Sequence, residues 1–455
     1  MKTPTLGAVL RPRRILALSL LALAWPMGNA VAQSPSADTE TNLETLVVHA
    51  MSVHPAIRAA EDRVDAAQAA ISPAGALPDP ILGLGVTNFP VSEPGFDGPM
   101  TMKMVGIGQM IPFPGKLDLR TRVAEKELAA AEARVQAARW EVEQEVRSAY
   151  YQLAFYDRAL EIVKNNAELL ANFIEVTQAR YGVGTGAQSD VLKARVEASR
   201  LAEEAARLTE QGRAALARLN AALDRPSDTP VETPRVPERI ARAAVADSPD
   251  EVRFASASLG ARALNSPLPS LVELQDRAVR ENPTLEAYQA MIAAQAARLE
   301  LAGKAYLPDF NVSLQYGQTS VGSDVVSAMV SVPIPLHKES KQDARVAETR
   351  ALLSALEADL HARKNEVRAE VARVYTDLEK DRAQLGLFVK SIIPQGRAAL
   401  ESATASFQVG RVDFLTLLDN QTTLYNYETA YFRSLTSFAQ GLAELERVVG
   451  AEILR

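Results

Sequence analysis

The chain has 455 residues, is 47% hydrophobic and only 5% aromatic, and has a formal net charge of -7 at pH 7. Its negative charge and its few aromatic residues argue against a nucleic-acid partner. It contains no cysteine, which excludes disulfides, thiolate metal sites and a lipid attached to an N-terminal cysteine.

The first 32 residues have the layout of a secretory signal peptide. Basic residues including Lys2 and Arg14 precede an apolar run from Ile15 to Trp25, and Ala30-Val31-Ala32 follows as a cleavage motif. We expect 1–32 to be removed and the mature chain to begin at Gln33. The alternative is a membrane anchor, but a helix needs about 20 apolar residues to cross a bilayer and this run is shorter.

The next segments predict a helix followed by two strands. An amphipathic segment from Thr41 to Ile71 is typical of a helix that packs by one face. Strand candidates follow at Ile81 to Phe89 and at Met100 to Ile111, joined by Gly, Pro, Asp and Ser. A transmembrane β-strand needs about 9 to 11 residues, so both are long enough to cross a membrane. Pro112 and Pro114 then end the pair, because proline interrupts a strand ladder and suits a helix start.

The second strand candidate is rich in methionine. Met100, Met102 and Met104 are spaced by two and therefore share one face of a strand. Thioether sulfurs bind soft cations such as Cu(I), which makes these residues a weak metal-site candidate. We favour the alternative, an apolar stripe that faces lipid or packs against a loop.

One long helix is predicted from Leu117 to Tyr181. The segment has no proline, is dense in strong helix formers and places apolar residues at seven-residue intervals. Such a helix would be about 98 Å long at about 1.5 Å per residue. After a glycine turn at 182–186, a return helix from Ser189 to Leu223 covers roughly half that length. We expect the helix at 41–71 to supply the rest, stacked end to end with the return helix.

The same order of elements recurs after a proline-rich segment at 224–269. We interpret this segment as a connection that wraps the outside of the helices. Pro394 should kink or split the long helix of the second copy. The predicted elements of that copy are a helix at Ser270–Lys304, strands at Phe310–Gln318 and Val325–Ile334, a long helix at Lys338–Phe407 and a return helix at Val412–Gly450.

Direct alignment supports this internal duplication. Tyr181 to Arg195 matches Phe407 to Gln421 without a gap, 226 residues later. We therefore divide the chain into a first repeat at 33–223, the connection at 224–269 and a second repeat at 270–455. Other landmarks recur in the same order: His54-Pro55 with Asn282-Pro283, Leu77-Pro78-Asp79 with Leu307-Pro308-Asp309, and the proline pair 112/114 with 333/335.

The strand count predicts an oligomer. A closed membrane barrel begins at about eight strands, and open edges are not tolerated in lipid. Three chains with four strands each would close a barrel of 12 strands. The predicted fold class is therefore mainly α with membrane β: an internally duplicated long-helix α-barrel with four strands per chain, forming a trimeric 12-strand β-barrel and a helical tunnel.

This pattern resembles the TolC-type outer-membrane efflux proteins over essentially the whole mature chain. The most specific stretch runs from Phe407-x-Val409-Gly410 to Leu417-Leu418-Asp419-Asn420-Gln421. The segment from Gln109 to Lys116 is similar to the branch that serves heavy-metal efflux pumps. The resemblance implies a passive, non-enzymatic homotrimer without cofactors. It would sit in the outer membrane, continue as helices through the periplasm, and work with a periplasmic adaptor and an inner-membrane pump.

The resemblance also implies where the adaptor binds. In the family, the tips of the two helical hairpins contact the adaptor. Glycine at such a tip lets the backbone turn and approach a partner closely. The alternative is that these glycines only reverse the chain. The corresponding residues here are Val183, Gly184 and Thr185 in the first copy, and Val409, Gly410 and Arg411 in the second.

An acidic gate near these tips is implied as well. One gate position of the family matches Asp419, whereas the other, three residues earlier, is Thr416 in this chain. Asp190 and Asp413 offer alternative negative charge near the aperture. A ring of carboxylates from three chains would favour cations. The alternative is that each aspartate is a solvated helix-end residue.

The main alternative function is a soluble periplasmic coiled-coil adaptor or scaffold. Such a protein would share the long helices but would lack four strand segments of membrane-spanning length. No enzyme is predicted, because the sequence has no nucleophile motif, phosphate loop or metal-binding Cys/His set. The sequence leaves the cargo open among metal ions, drugs and small organic molecules.

Overall fold

The computed structural model describes residues 43–454, except for 92–95, 97, 99, 233 and 246–267. The predicted signal peptide at 1–32 lies outside the described residues, as does about half of the predicted connection at 224–269.

The first copy folds in the predicted order. Where the sequence predicts one helix at 41–71, the structure has two, because the chain breaks at His54. The His54 Nδ1 atom accepts a hydrogen bond from the Ala56 N–H at 3.2 Å, and Pro55 begins the next helix. The elements are α1 (Leu43–Val53), α2 (Pro55–Gly75), β1 (Ile81–Thr87), β2 (Met102–Ile111), α3 (Lys116–Gly182) and α4 (Gln188–Ala222).

The second copy repeats this order and the helix break. Here Asn282 caps the helix that begins at Pro283, accepting hydrogen bonds from the N–H groups of Thr284 and Leu285. The elements after the first copy are α5 (Glu238–Val245), α6 (Leu271–Glu281), α7 (Pro283–Gly303), β3 (Phe310–Thr319), β4 (Val325–Ser331), α8 (Ala344–Leu387), α9 (Ile393–Gln408) and α10 (Phe414–Val449).

The long helix of the second copy is interrupted where proline predicts it. A π-helical turn at Phe388–Ile392 separates α8 from α9, and Pro394 lies in the first turn of α9. Proline has no N–H to donate to the preceding turn, so the regular hydrogen-bond ladder cannot continue through it.

Short helices lie end to end along each long one, as predicted. Along α3, Glu61 of α2 pairs with Arg139 at 3.1 Å and Glu44 of α1 pairs with Arg147 at 3.3 Å. Farther along α3, Leu208 of α4 packs in one cluster with Val163. The two short helices and α4 therefore cover successive parts of α3.

The same arrangement holds in the second copy. The Gln295 side chain of α7 donates to the Thr349 carbonyl at 3.1 Å, and Gln275 of α6 donates to the Arg368 carbonyl at 3.0 Å. Farther along, Arg397 of α9 pairs with Glu428 of α10 at 2.8 Å. The two copies thus share a plan in three dimensions as well as in sequence.

The four strands form one antiparallel sheet in the order β1-β2-β3-β4. The central pair, β2 and β3, joins the two copies, with Ile107 opposite Leu314 and Ile111 opposite Phe310. Strands β1 and β4 are the two edges. Leu82 and Ala328 continue the row of Ile107 and Leu314 across the sheet, so these residues lie on one face.

The main core contains residues from both copies, including Val146, Leu219, Val371 and Phe438. The connecting segment contributes to it through one face of a helix, and its path around the outside of the helices stays a prediction. Helix α5 buries one face in this core because its small and apolar residues, among them Ile240, recur at helical spacing. None of the described helices combines the length and apolar character needed to cross a bilayer.

Candidate functional site

The turn between α3 and α4 contains the first predicted contact site. Gly184 has a φ of +77°, which glycine adopts at little cost. The Gly184 N–H donates to the Tyr181 carbonyl at 3.0 Å, and the Thr185 N–H donates to the Arg180 carbonyl at 2.9 Å. These bonds end α3 in a closed glycine turn that leaves the Val183 side chain 75% exposed.

The turn between α9 and α10 has the same geometry 226 residues later. Gly410 has a φ of +72°. Its N–H donates to the Phe407 carbonyl at 3.0 Å, and the Arg411 N–H donates to the Ser406 carbonyl at 2.9 Å. Val409 is 69% exposed. Both tips therefore present a valine and a turned backbone to solvent.

The two tips lie against each other through a shared apolar cluster. Phe173 of α3, Ala194 of α4, Phe407 of α9 and Phe414 of α10 are buried together. The rings of Phe407 and Phe414 meet edge to face, with centroids 5.9 Å apart. The two hairpins are therefore held side by side just behind their exposed turns.

Arg180 links the two tips, and the sequence reasoning missed it. Its Nη1 donates to the Phe407 carbonyl at 2.8 Å, and its guanidinium lies 4.8 Å from the centre of the Phe407 ring. The aligned residue in the second copy is Ser406, which cannot make the reciprocal contact. This difference between the copies is the signal in the sequence that could have indicated an unequal contact.

Of the four predicted gate residues, Asp413 and Thr416 are brought together. The Asp413 carboxylate accepts hydrogen bonds from the Thr416 hydroxyl and, at 3.0 Å, from the Thr416 N–H. These bonds hold the pKa of Asp413 below its usual value. Asp413 thus caps α10, because its side chain satisfies a free N–H in the first helical turn.

The other two gate candidates are separate from this cap. Asp190 is half-buried in the first turn of α4 and accepts a hydrogen bond from the Ser189 hydroxyl at 3.3 Å. Asp419 is exposed, and it has no ion pair among the described residues. The gating role of all four residues stays a prediction.

The methionines of β2 lie on the polar face of the sheet. Met102 and Met104 point to the side opposite Val105 and Ile107, because they alternate with them along the strand. Across the strands, Met104 pairs with Gly85 and Gly317, and Met102 pairs with Thr87 and Thr319. Met100 precedes the strand and is 71% exposed. In the described part of the chain, no group of three His, Asp or Glu residues is placed to hold a metal ion.

Similarity to known proteins extends over most of the chain. The curated cobalt-zinc-cadmium resistance protein CzcC of Cupriavidus metallidurans is 22% identical over 342 residues, 75% of each chain. The solved outer-membrane channel OprN has a TM-score of 0.73 at 20% identity, with 91% of each chain covered.

A second solved structure has the same fold. The outer membrane protein VceC of Vibrio cholerae has a TM-score of 0.70 at 20% identity, covering 90% of this chain and 96% of its own. The family model for outer membrane efflux proteins matches residues 46–225 and 274–451. These matches do not favour the soluble adaptor alternative. The chain belongs to the outer membrane efflux protein family.

Proposed function

We propose that this chain is the outer-membrane exit duct of a three-part efflux system, working as a homotrimer with a periplasmic adaptor and an inner-membrane pump. One observation carries the proposal: the chain combines a four-stranded sheet that has two open edges with a duplicated set of long helices. It also belongs to the outer membrane efflux protein family. Members of this family are efflux channels rather than enzymes, so the chain conducts its cargo without chemistry.

The sheet supports the trimer. Its apolar face includes Leu82, Leu84, Ile107 and Leu314, all more than half exposed. An open sheet with such a face is stable neither in water nor in lipid, because its edges leave backbone groups unpaired. Three sheets joined at their edges would pair those groups and turn the apolar face to lipid.

The exposed tips support the adaptor contact. Val183 and Val409 protrude at the two turns, and Gly184 and Gly410 leave the backbone beside them accessible. Thr185 and Arg411 are exposed next to them. A partner hairpin could pack on these valines and reach the turned backbone, which is how small residues favour close helix contacts.

The aperture is proposed to lie near the tips, with Asp419 as the main acidic residue. Its exposure and lack of a partner within the described chain suit a ring of three carboxylates. Asp413 is the weaker candidate because its carboxylate already caps α10. Such a ring would favour cations as cargo.

We propose metal ions as the cargo, with drugs and small organic molecules as the alternatives. The support is the cobalt-zinc-cadmium resistance protein among the relatives and the similarity of Gln109–Lys116 to the heavy-metal branch. We also propose that a signal peptide at 1–32 directs export and that the repeats at 33–223 and 270–455 flank the connection at 224–269.

Deletion and fractionation test this function. A strain that lacks the gene should become sensitive to one or more divalent metals, and the full-length chain should restore resistance. The protein should be found in the outer-membrane fraction and should behave as a trimer in detergent by light scattering. A monomer that purifies without detergent would overturn the duct. Sensitivity to drugs instead of metals would overturn only the cargo.

A further inference from the structure

The corner where β2 leads into α3 is closed by a residue of the other copy. The Asp309 Oδ1 atom accepts hydrogen bonds from the Phe113 N–H at 2.8 Å and from Lys116 Nζ at 2.7 Å. Lys116 Nζ also donates to the Leu307 carbonyl at 2.7 Å. The Lys116 side chain is only 9% exposed. The residues just before β3 therefore fix the turn that follows β2.

The sequence contains all the parts of a second corner of this kind. Leu77-Pro78-Asp79 repeats Leu307-Pro308-Asp309 just before β1, and Pro333-Ile334-Pro335 repeats Pro112-Phe113-Pro114 just after β4. Lys338 begins the helical segment of the second copy, as Lys116 begins that of the first.

Within one chain, these parts do not meet. The first corner forms because β2 and β3 are paired, whereas β4 and β1 are the two opposite edges of the sheet. Asp79 and Lys338 are both exposed, and neither has an ion pair or side-chain hydrogen bond within the described ranges.

We propose that Asp79 of one protomer closes the corner of the next protomer, accepting hydrogen bonds from Lys338 Nζ and the Ile334 N–H. This inference rests on the trimer of the proposed function and specifies its contact. The partner is a second copy of this chain, and the charges of Asp79 and Lys338 are complementary. Charge-assisted hydrogen bonds of this kind are stronger than neutral ones and fix the geometry of a contact.

The strand register gives independent support. In the chain, Ile111 pairs with Phe310. Ile111 directly precedes the corner proline, and Phe310 directly follows the corner aspartate. The residues in the equivalent places at the edges are Val332 and Pro80, so these two would pair. Continued from there, the register places Ser331 opposite Ile81 and Val325 opposite Thr87. The seven residues of β4 then pair with the seven residues of β1 with none left over.

The faces of the two edge strands also agree under this register. Leu82 would pair with Val330 and Leu84 with Ala328. All four already lie on the apolar face within the chain, as the pairings of Leu82 with Ile107 and of Leu314 with Ala328 require. A shift by one residue would place apolar residues opposite the polar face. The side-chain pattern was not used to set the register, so the agreement is a separate argument.

Cross-linking tests the proximity, because the chain has no native cysteine. We would introduce Asp79→Cys with Lys338→Cys, treat the full-length protein in membranes with a short bis-maleimide, and separate the products on a denaturing gel. We expect covalent dimers and trimers. The matched control, Lys116→Cys with Asp309→Cys, should give only single-chain products, and each single substitution should give none.

Charge reversal tests the interaction itself. Asp79→Lys and Lys338→Asp should each raise the monomer fraction in detergent roughly tenfold, and the double exchange should restore most of the trimer. His337→Ala, at the neighbouring residue, should change nothing.

Two kinds of result would overturn the inference. The contact is wrong, and the trimer stands, if the unmodified protein is a trimer but the variant with cysteine at 79 and 338 yields no covalent multimers. The same conclusion follows if the double charge exchange leaves as large a monomer fraction as the more disruptive single exchange. A monomeric unmodified protein would overturn the trimer and the contact together.

Discussion

The charged side chain of Arg147 is buried and paired, whereas at the hairpin tips most charged residues are exposed. Arg147 lies in the core with its side chain 5% exposed, paired with Glu143 at 2.7 Å and with Glu44 at 3.3 Å. At the tips, Arg180 of the first hairpin donates to the Phe407 carbonyl of the second, and the acidic residues nearby are exposed or half-buried. Buried charges require fixed partners, whereas exposed ones do not.

Around Arg147, several elements of both copies meet. Glu44 comes from α1 and also pairs with Arg239 of α5 at 3.4 Å. Glu446 of α10 is buried beside them and accepts a hydrogen bond from the Ile453 N–H at 3.1 Å. Burial raises the pKa of Tyr151 to about 12, and its hydroxyl has no hydrogen-bond partner within the described chain.

The difference favours the tips over the core as the part of the molecule that opens. The packing of α1, α3 and α5 around the buried Arg147 side chain must open as a whole, whereas the exposed turn at a tip, closed by a few hydrogen bonds, can open alone. A gate therefore suits the tips, and the core around Arg147 suits a fixed support. The following predictions test this contrast, from the largest effect to the smallest.

Arg147→Ala should destabilise the protein by about 2–3 kcal/mol, because it removes a buried side chain and leaves Glu143, whose side chain is 18% exposed, without its partner. Denaturant unfolding in detergent, followed by circular dichroism, measures this loss. The control is Arg213→Ala on α4, whose pair with Glu210 is exposed, with side chains 71% and 68% accessible. Its free energy of unfolding should stay within about 0.5 kcal/mol of the wild-type value. Equal effects of the two substitutions would contradict a rigid charged core.

The two tip glycines should respond unequally. Valine at a positive φ costs about 1–2 kcal/mol at either position. At Gly184 an added Cβ meets no atom within 4 Å, whereas at Gly410 it lies 3.3 Å from Arg180 Nη2. Gly410→Val should therefore reduce export more than Gly184→Val. Export is measured as the metal resistance that each variant restores to the deletion strain. Equal losses with intact trimers would show that the two tips are equivalent.

Arg180→Lys should loosen the tips without affecting the core. Lysine keeps the charge but loses the stacking on Phe407, which is worth about 1 kcal/mol. Hydrogen exchange of the Thr185 and Arg411 amides should become roughly fivefold faster, while amides near Arg147 stay protected. Ser406→Ala, at the aligned position of the second copy, should leave the rates unchanged. Faster exchange throughout the chain would indicate general destabilisation instead.

Glu446→Gln should have the smallest effect, seen as a change in pH dependence. Burial raises the pKa of Glu446 in the folded protein. An acid with a raised pKa contributes stability that is complete below its unfolded-state pKa and is lost as the pH rises through its folded-state pKa. Thermal melting in detergent should therefore show a gain for Glu446→Gln over the wild type that grows from acidic to neutral pH. A gain that is constant with pH would exclude this carboxyl as the cause.

Several elements were predicted closely from sequence. The helix predicted from Leu117 to Tyr181 runs from Lys116 to Gly182, and the one predicted from Ser189 to Leu223 runs from Gln188 to Ala222. Such boundaries depend on local chemistry, since proline, glycine and helix formers act within one or two turns. The break at His54 was missed although the following Pro55 is a local signal for a helix start, whereas the burial of one face of α5 depends on tertiary packing.

The sequence by itself determined the duplication, the order of helices and strands, the positions of the turns and the need for further strands to close the sheet. Each of these follows from residue type and spacing along the chain. The tertiary structure decided which distant residues meet: Arg180 with Phe407, Lys116 with Asp309, and Arg147 with Glu44. Those contacts depend on how elements far apart in the chain pack against each other, and residue spacing along the chain does not encode that packing.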